Sequence, residues 1–247
     1  RDRVSPGIRI ENLSHSYGSK LALDGINLSV ERGRFCALLG PNGAGKSTLV
    51  SLMSGLFAAR HGRIIIDGHD MARAPRKALA AMGIVFQSPT LDADLSVRQN
   101  MLYYAALHGL SGRKALTASE AALDRLGMRE RIAEKVKSLN GGHRRRMELA
   151  RALIHNPSVL LLDEPTAGLD IAMRKSITAH VHDLASADGI SVLWTTHLAD
   201  EIAEGDDVAI LHEGKLAASG SLASLTRHDP ITAVFQRLTK PDEAQAA

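Results

Sequence analysis

Aromatic residues are scarce: Phe, Trp and Tyr make up 3% of the 247 residues. Few rings are therefore on hand to stack against the bases of a nucleic acid. Cysteine occurs once, as Cys36, which excludes an internal disulfide and suits a reducing compartment. Cys36 sits in an apolar run and reads as a core residue rather than a reactive thiol. No apolar run approaches the roughly 20 residues needed to cross a bilayer, so any membrane role has to come through a partner. Arg1-Asp2-Arg3-Val4 lacks the charged-then-apolar pattern of a signal peptide. Neither sign of charge dominates: 30 Lys and Arg stand against 27 Asp and Glu, for a net +3. That balance fits a mixed solvated surface better than a face for nucleic acid. No heptad run appears.

Apolar residues are plentiful at 45%, enough for a sizeable core and one large α/β domain or two small ones. Ile8–Leu13 and Ile26–Val30 alternate apolar and polar residues, as half-buried antiparallel strands do. Phe35-Cys36-Ala37-Leu38-Leu39 is a continuous apolar run, which suits a strand buried on both faces. A helix is expected from Lys46 to Leu56 and a strand over Gly62–Ile66, closed by the turn Asp67-Gly68. Ile84-Val85-Phe86 reads as a short buried strand. From about Ser88 to Asn156 helical periodicity takes over. Ser96 is placed to cap a helix running to His108, and Thr117-Ala118-Ser119-Glu120 has the form of a capping box. Strands return at Val159–Leu162, Ser191–Thr195 and Val208–Leu211, with a helix over Ile171–Ala187 between the first two. Alternating buried strands and helices predict an α/β fold with a mostly parallel core sheet, N-terminal antiparallel strands and an inserted α-helical subdomain. The expected boundaries are 1–87 and 157–239 for the core, 88–156 for the helical subdomain and 240–247 for a frayed tail.

Gly40-Pro41-Asn42-Gly43-Ala44-Gly45-Lys46-Ser47-Thr48 contains G-x-x-x-x-G-K-[ST] between a buried strand and a helix. The glycines let several N–H groups point at one anion, and the helix N-terminus adds partial positive charge. Lys46 is placed to reach β- and γ-phosphates and Ser47 to hold Mg²⁺. The second element is Val159-Leu160-Leu161-Leu162-Asp163-Glu164, an apolar strand ending in two carboxylates. Asp163 is placed beside the same Mg²⁺, and Glu164 faces the attacking water as general base or orienter. No N-K-x-D motif for guanine occurs, which favours adenine.

These motifs, in this order over about Ile8–Leu238, resemble the ATP-binding-cassette ATPases, the nucleotide-binding subunits of ABC transporters. The resemblance implies a P-loop NTPase fold and hydrolysis of Mg²⁺-ATP. It implies that Tyr17 stacks on adenine, that Gln87 contacts Mg²⁺ and the attacking water, and that His197, in Thr195-Thr196-His197, contacts the γ-phosphate. Without the family context, Tyr17 is a half-buried strand-end residue and His197 an ordinary strand-end histidine. Asp170, in Ala167-Gly168-Leu169-Asp170, matches a loop through which two cassettes touch; by itself it reads as a helix N-cap.

The family's glycine motif, L-S-G-G-Q, corresponds here to Leu139-Asn140-Gly141-Gly142-His143. Asn140 replaces serine and His143 replaces glutamine. The Gly141 and Gly142 N–H groups and the Asn140 amide still suit a phosphate bound to a second subunit, and His143 adds a group that titrates near neutrality. Arg144–Arg146 read as a solvated helix face. The resemblance further implies a second cassette, in a homodimer or paired with another chain, on a separate integral membrane subunit. It places the chain in the cytoplasm, peripheral on the inner face of the cell membrane, with no nucleic-acid partner. Ser96–Tyr104 is similar to the corresponding stretch of exporter-type cassettes. The Asn-Gly-Gly-His variant resembles a bacterial subgroup associated with pyrroloquinoline quinone-dependent alcohol oxidation.

Overall fold

Two sheets form where the two kinds of apolar pattern lie. The computed structural model describes residues 5–239; the readings for Arg1–Val4 and for the tail 240–247 fall outside the described residues. The alternating N-terminal segments become β1 (Ile8–Tyr17) and β2 (Lys20–Val30), which with β4 (His61–Ile66) and β5 (His69–Asp70) make a four-stranded antiparallel sheet in the order β2-β1-β4-β5. Asp67 and Gly68 turn between β4 and β5 at φ 49° and 79°, the left-handed pair that a tight hairpin requires.

The continuous apolar runs become β3 (Phe35–Leu39), β6 (Met82–Val85), β7 (Val159–Asp163), β8 (Ser191–Thr196) and β9 (Asp207–His212). They join β10 (Lys215–Ser221) in a six-stranded sheet of order β10-β9-β3-β8-β7-β6. All of its pairings are parallel except β10 with β9. Side chains along a strand point alternately to opposite faces, so a strand covered on both sides must be apolar throughout. Phe35 and Ala37 enter the core on one face with Leu160, Leu162, Val192 and Trp194. Cys36 and Leu38 enter the core on the other face with Leu161, Leu193 and the antiparallel sheet's Ile8, Ile10 and Ile26. Cys36 is a core residue, as expected, and burial pushes its thiol up to about 12.

Helix α1 (Lys46–Met53) lies in the second core through Leu49, Val50, Leu52 and Met53, so it is held between the two sheets. It stops short of Leu56, because Gly55 turns left-handed at φ 75°. Helix α2 (Pro75–Ala80) leads into β6, with proline at its first position.

Between β6 and β7 the chain is helical: α3 (Val97–Leu107), α4 (Gly112–Arg125) and α5 (Gly141–Leu153). Ser96 caps α3 in a full capping box with Gln99. The expected box at Thr117–Glu120 does not form. Those residues lie inside α4, whose N-cap is Ser111. The four-residue pattern is local, and the earlier helical start buries Ala115, Ser119, Ala122 and Leu123 on one face. The long α6 (Ile171–Asp188) follows β7. The short α7 (Leu222–Leu225) and α8 (Ile231–Thr239) close the described chain, and Val234 packs on Leu39, Val208 and Ile210.

Candidate active site

A parallel sheet offers a ligand site beyond the carboxyl ends of its strands. Here β3 ends at the phosphate loop, β7 at Asp163 and Glu164, and β8 just before His197. Gly40 N–H donates to the Thr196 carbonyl at 3.1 Å, which fixes the loop to β8. A side chain at Gly40 would meet the Leu211 carbonyl at 2.7 Å. Gly45, the N-cap of α1, has φ 112°, and a Cβ there would meet the Ala22 carbonyl at 2.8 Å. The loop's path is therefore open only to glycine at these positions.

Lys46 is 4% exposed, and its Nζ donates to the Gly40 and Pro41 carbonyls at 2.7 and 3.1 Å. It also pairs with Glu164 Oε1 at 3.2 Å. The other oxygen, Glu164 Oε2, accepts from Gln87 Nε2 at 3.2 Å and lies 3.5 Å from His197 Nδ1. Three residues named from sequence thus converge on Glu164. Its backbone is left-handed, φ 43°, a conformation that costs a non-glycine residue roughly 1–3 kcal/mol and persists only where the surroundings enforce it. Thr195 enforces it: its carbonyl and Oγ1 accept the Glu164 N–H at 3.2 and 3.0 Å. The same Thr195 hydroxyl donates to Asp163 Oδ1 at 2.7 Å. Burial raises the Asp163 carboxyl above its ordinary range, opposed by the Thr195 bond and seconded by the charge of Glu164.

A cavity of about 720 Å³ opens onto these groups. Tyr17, Asn42, Gly43, Gly45, Lys46, Ser47, Thr48, Gln87 and Glu164 line it, joined by Lys20, Leu21, Ala22, Glu213 and Gly214. Tyr17 is 45% exposed at the end of β1, edge-on to Phe57 at 5.8 Å between ring centres. Asp163 and His197 adjoin the cavity through Thr195 and Glu164. No group of three or more His, Cys, Asp or Glu suited to a metal occurs among the described residues. A divalent cation here would take Ser47, Asp163 and Gln87 as oxygen ligands and complete its shell with phosphate and water, the pattern magnesium favours.

Asn140–His143 and Asp170 are absent from the cavity lining. Asn140 caps α5 by accepting from His143 N–H at 2.8 Å, and Asp170 caps α6 by accepting from Met173 N–H at 2.9 Å. The two helix starts abut. A Cβ on Gly142 would meet the Met173 side chain at 2.4 Å, and one on Gly141 would meet Leu169 at 3.4 Å. The His143 ring is held below the ordinary histidine range by partial burial and by the charges of Arg131 and Arg146, with Glu134 opposing.

The expectation of a solvated Arg144–Arg146 face fails at its centre. Arg145 is 6% exposed and donates to the Phe86 and Gln87 carbonyls at 2.8 and 3.1 Å. It pairs with buried Glu148 at 2.8 Å, whose other oxygen accepts from Thr90 N–H at 3.0 Å. This network ties α5 to the segment carrying Gln87. Its sequence signal was the spacing of Arg145 and Glu148 by three on an otherwise buried helix face. Thr195 was also missed as a functional residue, and its position two before His197 was the available cue.

Comparison with known proteins bears on the whole of this arrangement. The family model described as ABC transporter matches residues 23–167. A linearmycin resistance ATP-binding protein of Bacillus subtilis is 34% identical over 88% of this chain and 70% of its own length. The chain belongs to the ATP-binding-cassette family of ABC transporters. A daunorubicin resistance ATP-binding protein of Streptomyces coeruleorubidus is 37% identical over 88% of this cassette and 69% of its own length. Among solved structures, the bacterial cassette MJ0796 in its dimeric form has a TM-score of 0.77 and 26% identity, over 87% of this chain and 98% of that one. The same protein in a dimeric post-hydrolysis form, bound to ADP and phosphate, matches equally, with a TM-score of 0.77. The P-loop NTPase fold is thereby established. The cassette is the nucleotide-binding subunit of an ABC transporter, an ATPase whose hydrolysis of ATP drives transport through a separate membrane component.

Proposed function

We propose that the cavity around Lys46 and Glu164 is one half of a composite site that binds and hydrolyses Mg²⁺-ATP. The observation that carries this is the convergence of Lys46, Gln87 and His197 on the two oxygens of Glu164, at 3.2, 3.2 and 3.5 Å. Gly40–Thr48 cradle the phosphates, and Tyr17 stacks on the adenine. Lys46 neutralises the β- and γ-phosphates. Glu164 accepts the proton of the attacking water, while Gln87 and His197 orient that water and the γ-phosphate. Ser47, Asp163 and Gln87 would hold Mg²⁺, and its chemistry when bound is to offset charge on the phosphate oxygens. A cation beside Asp163 would offset the burial that raises its carboxyl.

The other half of the site is Asn140–His143 of a second cassette, with Asp170 at the contact between the two. In a two-fold dimer each helix N-terminus at Asn140 then faces its partner's γ-phosphate. A homodimer is the simplest assembly. The core comprises 1–87 and 157–239, and residues 88–156 form the helical subdomain. A second cavity, about 700 Å³, lies between them beside Phe86, Leu95, Tyr103 and Leu107. Tyr103 and Leu107 are 66% and 65% exposed, which suits docking of the membrane subunit there. No helix among the described residues is long and apolar enough to cross a membrane, and attachment at the inner face would come through that partner. Export is the favoured direction, because relatives include resistance proteins and Nod factor export ATP-binding proteins.

Glu164→Gln tests the catalytic assignment. The variant should bind ATP, lose turnover and accumulate as an ATP-bound dimer in size-exclusion chromatography. Full turnover in that variant would refute the role given to Glu164.

A further inference from the structure

Away from the nucleotide site, α4 and the end of α5 flank an open cavity of about 650 Å³. Its floor is apolar, made by Ala118 and Ala122 of α4 with Leu153 and Ile154 beyond them. Its rim carries Arg113, Lys114 and Arg125, and no acidic residue lines it. Arg125 is held by Asp188 of α6. Arg113 and Lys114 stand in the first turn of α4, where there is no acid and where the helix dipole already places positive charge. Two cations at that end repel the helix as well as each other, and an anion would relieve both repulsions.

We propose that this cavity binds one small amphiphilic monoanion, an aliphatic carboxylate, with its chain on the alanine floor and its head between Arg113 and Lys114. The volume falls within the range of small-molecule sites, which are concave, mostly apolar and carry a few polar groups at one end. An extended peptide would need acceptors for its backbone N–H groups, and among the lining side chains only Thr117 and Asn156 can accept. The small side chains of the floor let an unbranched chain approach closely, and each methylene buried there contributes about 0.8 kcal/mol. The site is separate from the Lys46–Glu164 cavity, so its occupancy does not depend on the hydrolytic assignment.

Isothermal titration of the full chain with decanoate, below its micelle-forming concentration and without nucleotide, tests this. One decanoate should bind per chain. Decanol should bind at least tenfold more weakly, because it lacks the charge. The double substitution Arg113→Glu with Lys114→Glu should weaken decanoate at least tenfold. Ala121→Glu, at an exposed position of α4 that lines the cavity, should weaken decanoate at least tenfold by setting a like charge and a polar group against it. Thermal unfolding of both variants near the wild-type temperature would show that the fold is kept. The proposal is overturned by no decanoate binding, by equal binding of decanol, by several decanoates per chain, or by unchanged binding in either variant. Displacement of decanoate by an acidic amphipathic peptide that binds more tightly would overturn it in favour of a protein partner.

Discussion

Replacing Arg145 by methionine should separate what this residue does for stability from what it does for catalysis. The guanidinium is 6% exposed and makes three short contacts, to Glu148 and to the Phe86 and Gln87 carbonyls, at 2.8, 2.8 and 3.1 Å. Its removal leaves Glu148, 3% exposed, as a buried carboxylate without its counter-charge. Burial already raises that carboxyl, with Arg145 the chief opposing influence. Breaking a buried pair from one side costs about 3–5 kcal/mol. For a chain of this size that corresponds to a loss of about 10 °C in Tm, at roughly 2–4 °C per kcal/mol. Replacing both partners, as Arg145→Met with Glu148→Leu, removes the stranded charge and should restore most of the lost stability. It leaves the Phe86 and Gln87 carbonyls without donors and the Thr90 N–H without its acceptor, so part of the loss remains. Gln87 should then lose its fixed position near Glu164, and turnover should fall at least tenfold although Tm lies above that of the single variant. The assays are thermal unfolding by circular dichroism and steady-state phosphate release. The reasoning fails if the single variant melts within a degree or two of wild type, if the double variant melts as early as the single, or if the double variant keeps full turnover.

Two pH effects follow from histidine environments. His155 is stacked on His108 at 3.8 Å between ring centres, with Nε2 against the Met82 carbonyl at 2.9 Å, and burial with the neighbouring His108 lowers its pKa from 6.5 to about 4. The folded state thus disfavours the charged ring. The stability this confers is complete above pH 6.5 and is lost as pH falls toward about 4, and His155→Phe should flatten that part of the unfolding profile. His143 is also held below the ordinary histidine range, by partial burial and by Arg131 and Arg146. A partner's phosphates would favour its protonated form, so ATP-driven dimerisation should strengthen as pH falls below the usual histidine range. His143→Gln should remove that dependence, and an unchanged profile would contradict its placement at the second subunit's nucleotide.

The features legible in the sequence are those whose physics is local. Gly40–Ser47 names its own turn, because Gly45 has a backbone no other residue adopts without strain and G-K-S must open a helix. Asp67-Gly68 likewise specifies its hairpin, and the apolar run at Phe35–Leu39 specifies a strand covered on both faces. Thr117–Glu120 misled because a capping box is only four residues long, while the burial of Ala115 and Leu123 fixed a longer helix around it. Arg144-Arg145-Arg146 misled for a different reason. Composition gives all three arginines the same meaning, and only the tertiary fold brings the Phe86 and Gln87 carbonyls to the middle one. The paired roles of Thr195 were illegible because they depend on β7 and β8 lying side by side, with Asp163 in register with Thr195. The distance between Asn140–His143 and the Lys46 cavity within one chain was implied by the family resemblance rather than by any pattern of residues.

The central claim is that one active site is built from two chains, and mixing two inactive variants tests it most directly. Lys46→Ala disables the phosphate loop. Gly141→Asp places a negative charge where the partner's γ-phosphate is to lie, at an exposed position where a side chain meets only Leu169, at 3.4 Å. Each variant alone should be inactive, because every site in either homodimer is defective. In an equal mixture about half the dimers are mixed, and two-fold geometry gives each of these one site carrying both defects and one intact site. Turnover should therefore recover to about a quarter of wild type. A mixture as inactive as its components, or full activity of Gly141→Asp alone, would contradict the composite site.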